Sequence, residues 1–337
     1  MKILVTGGAG FIGSNFIKYV LSKYPHYKIV NLDKLTYAGN LDNLSDIKDN
    51  PNYQFIKGDI CEKNLVERIL ENRIDVIVNF AAETHVDRSI YDPKIFVQTN
   101  VLGTQVLLES ALKSKIERFV QISTDEVYGT LTNGSFTESS PLLPNSPYAA
   151  SKASADLLTR SYHRTFGLAA VIARSTNNYG PYQFPEKLIP LFITNAFSDQ
   201  ELPLYGDGLY VRDWLYVEDH CRALDLVLHK GKIGEIYNIS GNCEKANLEI
   251  TELILKRLNK PKSLIKHVKD RPAHDRRYAL DSTKIRDELG WKPDTSLEKG
   301  LAETVDWYIA NQKWWEKIKT GEYLEYYRKH YVLRDSF

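Results

Sequence analysis

Short apolar, β-branched runs recur through the first half of the chain, separated by stretches with helical spacing. Lys2-Ile3-Leu4-Val5-Thr6 reads as a buried parallel strand. Ile12, Phe16, Ile17, Val20 and Leu21 then fall on one helical face. Residues 28–32, 55–60, 75–80, 118–122 and 169–173 predict five further strands. Residues 93–111 predict a long helix that contains Thr99 and Asn100, and 149–162 predict another. Regular alternation of strand and helix means a doubly wound, Rossmann-type α/β sheet.

The pattern changes after residue 173. Residues 174–190 are rich in Asn, Tyr, Gly and Pro. Gly206-Asp207-Gly208 signals a turn, 211–217 alternates as a strand does, and 218–228 reads as a helix. Leu297, Leu301, Val305 and Tyr308 form a late amphipathic stripe suited to a core. The expected organisation is residues 1–173 as mainly a nucleotide-cofactor domain. Residues 174–337 are then mainly a smaller, interwoven substrate lobe with returns to the main sheet.

Composition narrows the class. The 337 residues allow one large domain and a lesser lobe, and 43% hydrophobic content argues for a globular chain. A net charge of +1 argues against nucleic acid or a membrane surface as main partner. Cys61, Cys221 and Cys243 are scattered, without metal-ligand spacing, so no metal is expected and a reduced, cytoplasmic setting fits. The apolar start is one strand long, unlike a secretory leader, and no run approaches a membrane span.

Candidate chemistry begins at Gly7-Gly8-Ala9-Gly10-Phe11-Ile12-Gly13, between the first strand and first helix. The run fits Gly-x-Gly-x-x-Gly from Gly8 and Gly-x-x-Gly-x-x-Gly from Gly7, so the glycines alone leave the subtype open. Glycines there let backbone approach a pyrophosphate seated on the helix N-terminus. Asp33, ending the second strand, suits the ribose hydroxyls of NAD and repels the phosphate of NADP; neighbouring Lys34 is the feature that favours NADP. Gly58-Asp59 can reach an adenine. Small Ala81 and Ala82 permit close approach of a cofactor, while Thr84 and His85 offer donors to a substrate; for His85 a structural role is equally open. Polar side chains such as Thr99 and Asn100, if buried there, need partners, and the cofactor region is a candidate. Lys187, Arg212, Arg271 and some of Arg276 and Arg277 are candidates to converge on a diphosphate.

Ser123-Thr124-Asp125-Glu126 falls at the carboxyl end of the fifth strand, where open α/β sheets bind ligands. Tyr148 and Lys152 are one helical turn apart. A phenol that takes a proton near neutral pH needs its pKa drawn down, and the Lys152 ammonium is expected to do so. Two adjacent carboxyls suit paired acid and base roles, because like charges push their pKa values apart.

Residues 6–13 with Tyr148-x-x-x-Lys152 resemble the extended short-chain dehydrogenase/reductase family. Thr124-Asp125-Glu126, the block Ala81–Ser89, the block Asn177–Leu188, residues 212–217 and residues 274–278 are similar to its dTDP-glucose 4,6-dehydratase branch. The resemblance implies that Phe11, Ile12, Asp33, Asp59, Ile60, Ala81, Thr99, Tyr148, Lys152 and Asn178 handle NAD. It implies that Thr84, Thr124, Asn177, Glu186, Lys187, Leu188, Pro203, Tyr205, Arg212, Asn247, Arg271, His274 and Tyr278 handle a sugar nucleotide. The implied reaction has Tyr148 and Lys152 assisting oxidation at C4, with Thr124 hydrogen-bonding the same oxygen. Glu126 is then the base at C5, and Asp125 the acid for the departing C6 hydroxyl. It also implies a homodimer through helices near 94–111 and 148–163. A sugar-nucleotide 4-epimerase would need Tyr148 and Lys152 but not the two carboxyls; a non-catalytic NAD-binding scaffold would need neither pair.

Overall fold

The computed structural model describes residues 1–328 and residue 331. Its centre is a seven-stranded sheet in the order β10-β6-β5-β4-β1-β2-β3. The strands are β1 (Lys2–Thr6), β2 (Lys28–Asp33), β3 (Tyr53–Lys57), β4 (Val76–Asn79), β5 (Arg118–Thr124), β6 (Ala170–Ser175) and β10 (Ile236–Ile239). Every pairing in this sheet is parallel. The order reverses between β1 and β4, and the crevice outside the strand ends at such a point is where ligands bind.

Helices cover both faces. On one side α1 (Phe11–Lys23) and α8 (Val217–Lys230) pack with Ile3, Val5, Val78 and Val120. On the other, α2 (Lys63–Leu70) and α5 (Thr104–Lys113) pack with Leu4, Val30, Ile77 and Phe119. Strands buried on both faces have no polar side to show, which is why they read as unbroken apolar runs. The long helix expected over 93–111 is segmented: α4 (Pro93–Phe96), a π-helical stretch Val97–Gly103, then α5. Wider π turns often sit at functional sites, and this one carries Thr99 and Asn100. Asn100 finds protein partners rather than a cofactor. Its amide bonds the Glu83 backbone N–H at 2.8 Å and C=O at 3.0 Å, and donates to Ser151 Oγ at 2.8 Å. The loop after β4 is thereby pinned to α6 (Pro147–Phe166).

The third strand runs 53–57, not 55–60, because its one neighbour β2 ends at Asp33, opposite Lys57. Gly58, Asp59 and Ile60 leave the sheet and face the crevice.

The later chain adds two small sheets. β11 (Glu244–Ala246), β9 (Val211–Tyr216) and β7 (Asn177–Tyr179) form one; β12 (Ile265–Val268) and β8 (Leu202–Tyr205) form the other. They share a core with α7 (Leu188–Phe197), α9 (Asn247–Arg257) and α11 (Leu297–Ala310), where Leu297, Leu301, Val305 and Tyr308 are buried as their spacing predicts. β10 returns to the main sheet beside β6.

Candidate active site

The glycine-rich turn is held by its own backbone. Gly7 has φ +68°, and a Cβ there would lie 2.6 Å from Ala81 N. A Cβ on Gly13 would collide with the Gly7 carbonyl. The turn packs this closely only without side chains, and it delivers the N-terminus of α1 to the crevice. Asp33 sits beside it. Its carboxylate accepts from Ala9 N–H at 2.9 Å and from Leu35 N–H at 2.8 Å. Burial raises its pKa against those two bonds. Lys34 pairs with Asp59 at 2.8 Å, so its charge is already matched.

Gly7, Gly10, Phe11, Ile12, Gly13, Asp33, Asp59, Ile60, Ala81, Ala82, Thr99, Tyr148, Lys152 and Asn178 all line one cleft. Thr84, Thr124, Asp125, Glu126, Asn177, Glu186 and Lys187 line it too.

The catalytic candidates meet at the end of β5. A 3₁₀ turn, Asp125–Tyr128, follows Thr124, whose hydroxyl accepts from Glu126 N–H at 3.2 Å and donates to Asp125 Oδ1 at 3.1 Å. Asp125 is 2% exposed, and its Oδ2 has no hydrogen-bond partner among the described residues. Burial, and then the neighbouring Glu126, hold its pKa well above the usual carboxyl range. Glu126 is also raised by burial, but Arg271, Lys187 and Arg212 oppose the rise. The proton therefore belongs on Asp125 and the charge on Glu126.

Tyr148 departs from the expectation. Burial and the charges of Glu126 and Asp125 push its pKa up, with a hydrogen bond to Thr124 opposing. Lys152 Nζ donates to the Ile122 carbonyl at 2.6 Å, not to the phenol. Burial lowers its pKa to about 8. The phenol is instead under the two carboxyls of the turn that follows β5.

A second group lies across Glu126, off the wall of the main cleft. Arg212 Nη2 donates to the Asp275 carbonyl at 2.9 Å, and its guanidinium lies 4.4 Å from the Tyr278 ring centroid. Arg271 pairs loosely with Asp87 at 3.6 Å, lies 6.0 Å from the Tyr205 ring centroid, and has a buried Nε with no hydrogen-bond partner among the described residues. His274 stacks on Tyr210 at 3.7 Å and bonds Asp270 at 2.6 Å; its pKa is pushed down to about 2, largely by burial. Asn247 opens α9, and its buried Oδ1 has no partner among the described residues. Leu188 opens α7, and Pro203 lies in β8 opposite Lys266.

Two further expectations need correction. His85 does not line the cleft beside Thr84. It is buried 3.7 Å from Asp87, and loss of hydration lowers its pKa to about 4. Arg276 and Arg277 do not converge with Arg212. Asp207 holds Arg276 at 2.8 and 2.9 Å, and Glu244 holds Arg277 at 2.6 and 2.8 Å. Sequence reasoning also missed Tyr37 and Arg88. Arg88 lies 3.8 Å from the Tyr37 ring centroid and pairs with Glu186 at 3.0 Å. Arg88 belongs to the block Ala81–Ser89, but nothing in its spacing points to a partner 98 residues on.

A doubly wound sheet with this glycine turn and a Tyr–Lys pair on one helix defines an extended short-chain dehydrogenase/reductase. The chain belongs to the GDP-mannose 4,6 dehydratase family, whose model matches residues 4–304, and stands with its dTDP-glucose 4,6-dehydratase members. A dTDP-glucose 4,6-dehydratase of Streptomyces niveus is 54% identical over 326 residues, covering 96% of this chain and 97% of that one. The crystal structure of a dTDP-glucose 4,6-dehydratase from Streptomyces venezuelae, with NAD bound, superposes with a TM-score of 0.93 at 53% identity, covering 95% of this chain and all of that one. A UDP-glucose 4-epimerase from Thermotoga maritima is more distant, with 31% identity, a TM-score of 0.87 and coverage of 93% and 100%.

A raised folded-state pKa gives Asp125 a defined stability signature. Its contribution is fully present below the unfolded carboxyl pKa and is lost as pH rises through the folded value. Asp125→Asn removes that loss. The variant should melt above wild type at pH 8, by roughly 2 °C or more, with a smaller gap at pH 5. Thermal unfolding across pH checks this; a gap that does not grow with pH contradicts it.

Proposed function

We infer that this protein converts dTDP-glucose to dTDP-4-keto-6-deoxyglucose by removing water across C5 and C6, with NAD as its resident cofactor. The observation that carries the reading is the adjacent pair Asp125, enclosed, and Glu126, under three cations, beside Tyr148 in a single cleft.

The cleft's residues fit the cofactor. Asp33 presents a carboxylate to a ribose, the glycine turn leaves room for a pyrophosphate, and the buried Oδ1 of Asn178 has no partner among the described residues. Lys34, the feature that favoured NADP, is engaged by Asp59. Bound NAD supplies a hydride acceptor at the start of the cycle and a hydride donor at its end.

The chemistry of the chain follows from the order of acidities. The C5 hydrogen of a glucose ring is not acidic until C4 is a ketone. Tyr148, as phenolate, receives the C4 hydroxyl proton, with Thr124 holding the same oxygen; burial and Glu126 oppose that form, and the Lys152 ammonium together with the positive nicotinamide ring of bound NAD would offset them. Lys152 keeps positive charge beneath them. Glu126, charged under three cations, takes the C5 proton and would return it to C5 when the hydride is delivered to C6. Asp125 gives its proton to the C6 hydroxyl as it leaves. Burial of both carboxyls serves their separate tasks, since each has a pKa nearer the working pH than in water. Lys187, Arg212 and Arg271 are suited to the diphosphate and His274, neutral and stacked, to a polar group of the nucleoside. An epimerase has no use for the acid–base pair, which is what favours dehydration here.

The assignment of residues 1–173 mainly to the cofactor and 174–337 mainly to the sugar nucleotide belongs to the same reading. So does a cytoplasmic setting, supported by three free cysteines. Among the described residues no helix is long and apolar enough to cross a membrane. A homodimer is supported by the exposed apolar side chains Val97, Leu102, Leu157 and Phe166, which lie on the helices around 94–111 and 148–163.

Incubation with dTDP-glucose should yield a product lighter by one water; unchanged product mass contradicts dehydration. Glu126→Gln should lower the rate of water loss by about 10²–10⁴-fold while C4 oxidation persists, seen as a trapped 4-keto sugar by mass spectrometry. Normal dehydration by that variant removes Glu126 from the mechanism. Sedimentation should give twice the chain mass, and a monomer's mass contradicts the dimer.

A further inference from the structure

Beneath the catalytic residues lies a buried polar chain that none of the steps above uses. Tyr148, Lys152 and Asp156 are spaced four apart on α6 and share one face. Asp156 is 1% exposed. Its Oδ2 accepts from Ser123 Oγ at 2.9 Å and from Arg174 Nε at 2.8 Å, and its Oδ1 has no hydrogen-bond partner among the described residues. Arg174, on β6 and 3% exposed, donates from Nη1 to Tyr128 Oη at 2.8 Å. Tyr128 closes the turn that begins with Asp125 and Glu126. Its hydroxyl donates to Asn238 Oδ1 on β10 at 2.8 Å, and its ring stacks on Phe136 at 4.9 Å.

The chain therefore runs from the helix of Tyr148 and Lys152 to the turn of Asp125 and Glu126, passing under β5. The same helix grips β5 twice, through Lys152 on the Ile122 carbonyl and Asp156 on Ser123. Ser123 directly precedes Thr124. A fully buried ion pair is a poor source of net stability, because desolvating both charges offsets their attraction. Such pairs are better explained by what they hold in register. Arginine suits the hub, since its rigid fork can bind a carboxylate and a hydroxyl in fixed directions at once.

We propose that Asp156 and Arg174 are positioning residues for the reaction. Through Tyr128 they fix the offset between the residues that oxidise C4 and those that eliminate water, so that both stages act on a sugar that does not move. A second consequence is electrostatic. Among the described residues Asp156 is the anion that raises the pKa of Lys152 against its burial, and the Ile122 carbonyl of β5 accepts from its Nζ. Tyr148 feels Asp125 and Glu126 from the turn, the Thr124 hydroxyl from β5 and Asp156 from its own helix. Arg174 faces Asp156 from β6.

The proposal rests on the dehydratase reading, and its test separates the two. If wild type makes no 4-keto-6-deoxy product, the dehydratase reading fails. If wild type makes it and the variants below turn over normally, only the positioning role fails. Asp156→Asn keeps the shape and removes the charge. Lys152 then loses its proton at lower pH, so the alkaline limb of the kcat profile should move to lower pH. At pH 7.5 kcat should fall about 10²-fold, the scale of a small misplacement, with KM near the wild-type value because neither residue lines the cleft. Tyr128→Phe cuts the link to the turn and leaves the Asp156–Arg174 pair intact. It should slow water loss, accumulate the 4-keto-glucose nucleotide in rapid-quench samples, and leave the alkaline limb unmoved. Arg174→Lys cannot bridge both partners and should show the Tyr128→Phe pattern. Variants that lose only thermal stability, with wild-type kcat, pH profile and no accumulated ketone, overturn the proposal.

Discussion

Two carboxyls that follow one another in the chain, one enclosed and one half-buried, resist carrying charge together. Everything else in the centre depends on how that conflict resolves. Asp125 is enclosed, with one oxygen on the Thr124 hydroxyl and the other without a partner. Glu126 lies under Arg212, Arg271 and Lys187. The local field therefore puts the negative charge on Glu126 and keeps the proton on Asp125. One residue becomes a base and its neighbour an acid at the same pH, by environment alone.

The fold supplies this asymmetry by drawing on distant parts of the chain. β5 brings the carboxyls to the open end of the sheet, and the 3₁₀ turn after Thr124 sets them side by side. The cations come from the loop before α7, from β9 and from the segment after β12, at positions 187, 212 and 271. The oxidising pair arrives on α6, whose length and packing against β5 and β6 make it a rigid mount. The glycine turn and Asp33 occupy the neighbouring strand ends. A switch point in strand order thus sets the cofactor cleft next to a proton-transfer pair, and the smaller sheet of β7 and β9 brings Asn177, Asn178 and Arg212 to it.

What was legible beforehand was local. Strand and helix followed from runs and spacings within about twenty residues, and so did the glycine turn, Asp33, and the Tyr148–Lys152 pair. The family resemblance extended this to residues scattered over the chain, and the cofactor set falls on one wall. What remained hidden depends on partners far away in sequence. Arg276 and Arg277 look like diphosphate ligands until Asp207 and Glu244 are seen to hold them. Asn100 looks like a cofactor contact until Glu83 and Ser151 take its amide. Lys152 looks aimed at Tyr148 until the Ile122 carbonyl takes its ammonium. In each case the residue's chemistry was readable, and the competitor for its hydrogen bonds was not.

The division of charge between Asp125 and Glu126 can be observed without turnover. Infrared difference spectra of wild type against Asp125→Asn, and of wild type against Glu126→Gln, report the protonation of each carboxyl separately. At pH 7.5 the first difference should remove a protonated-carboxyl band and the second a carboxylate band. If removing Asp125 instead takes away only a carboxylate band, the acid and base are not assigned by burial as described, and the mechanism built on that assignment fails.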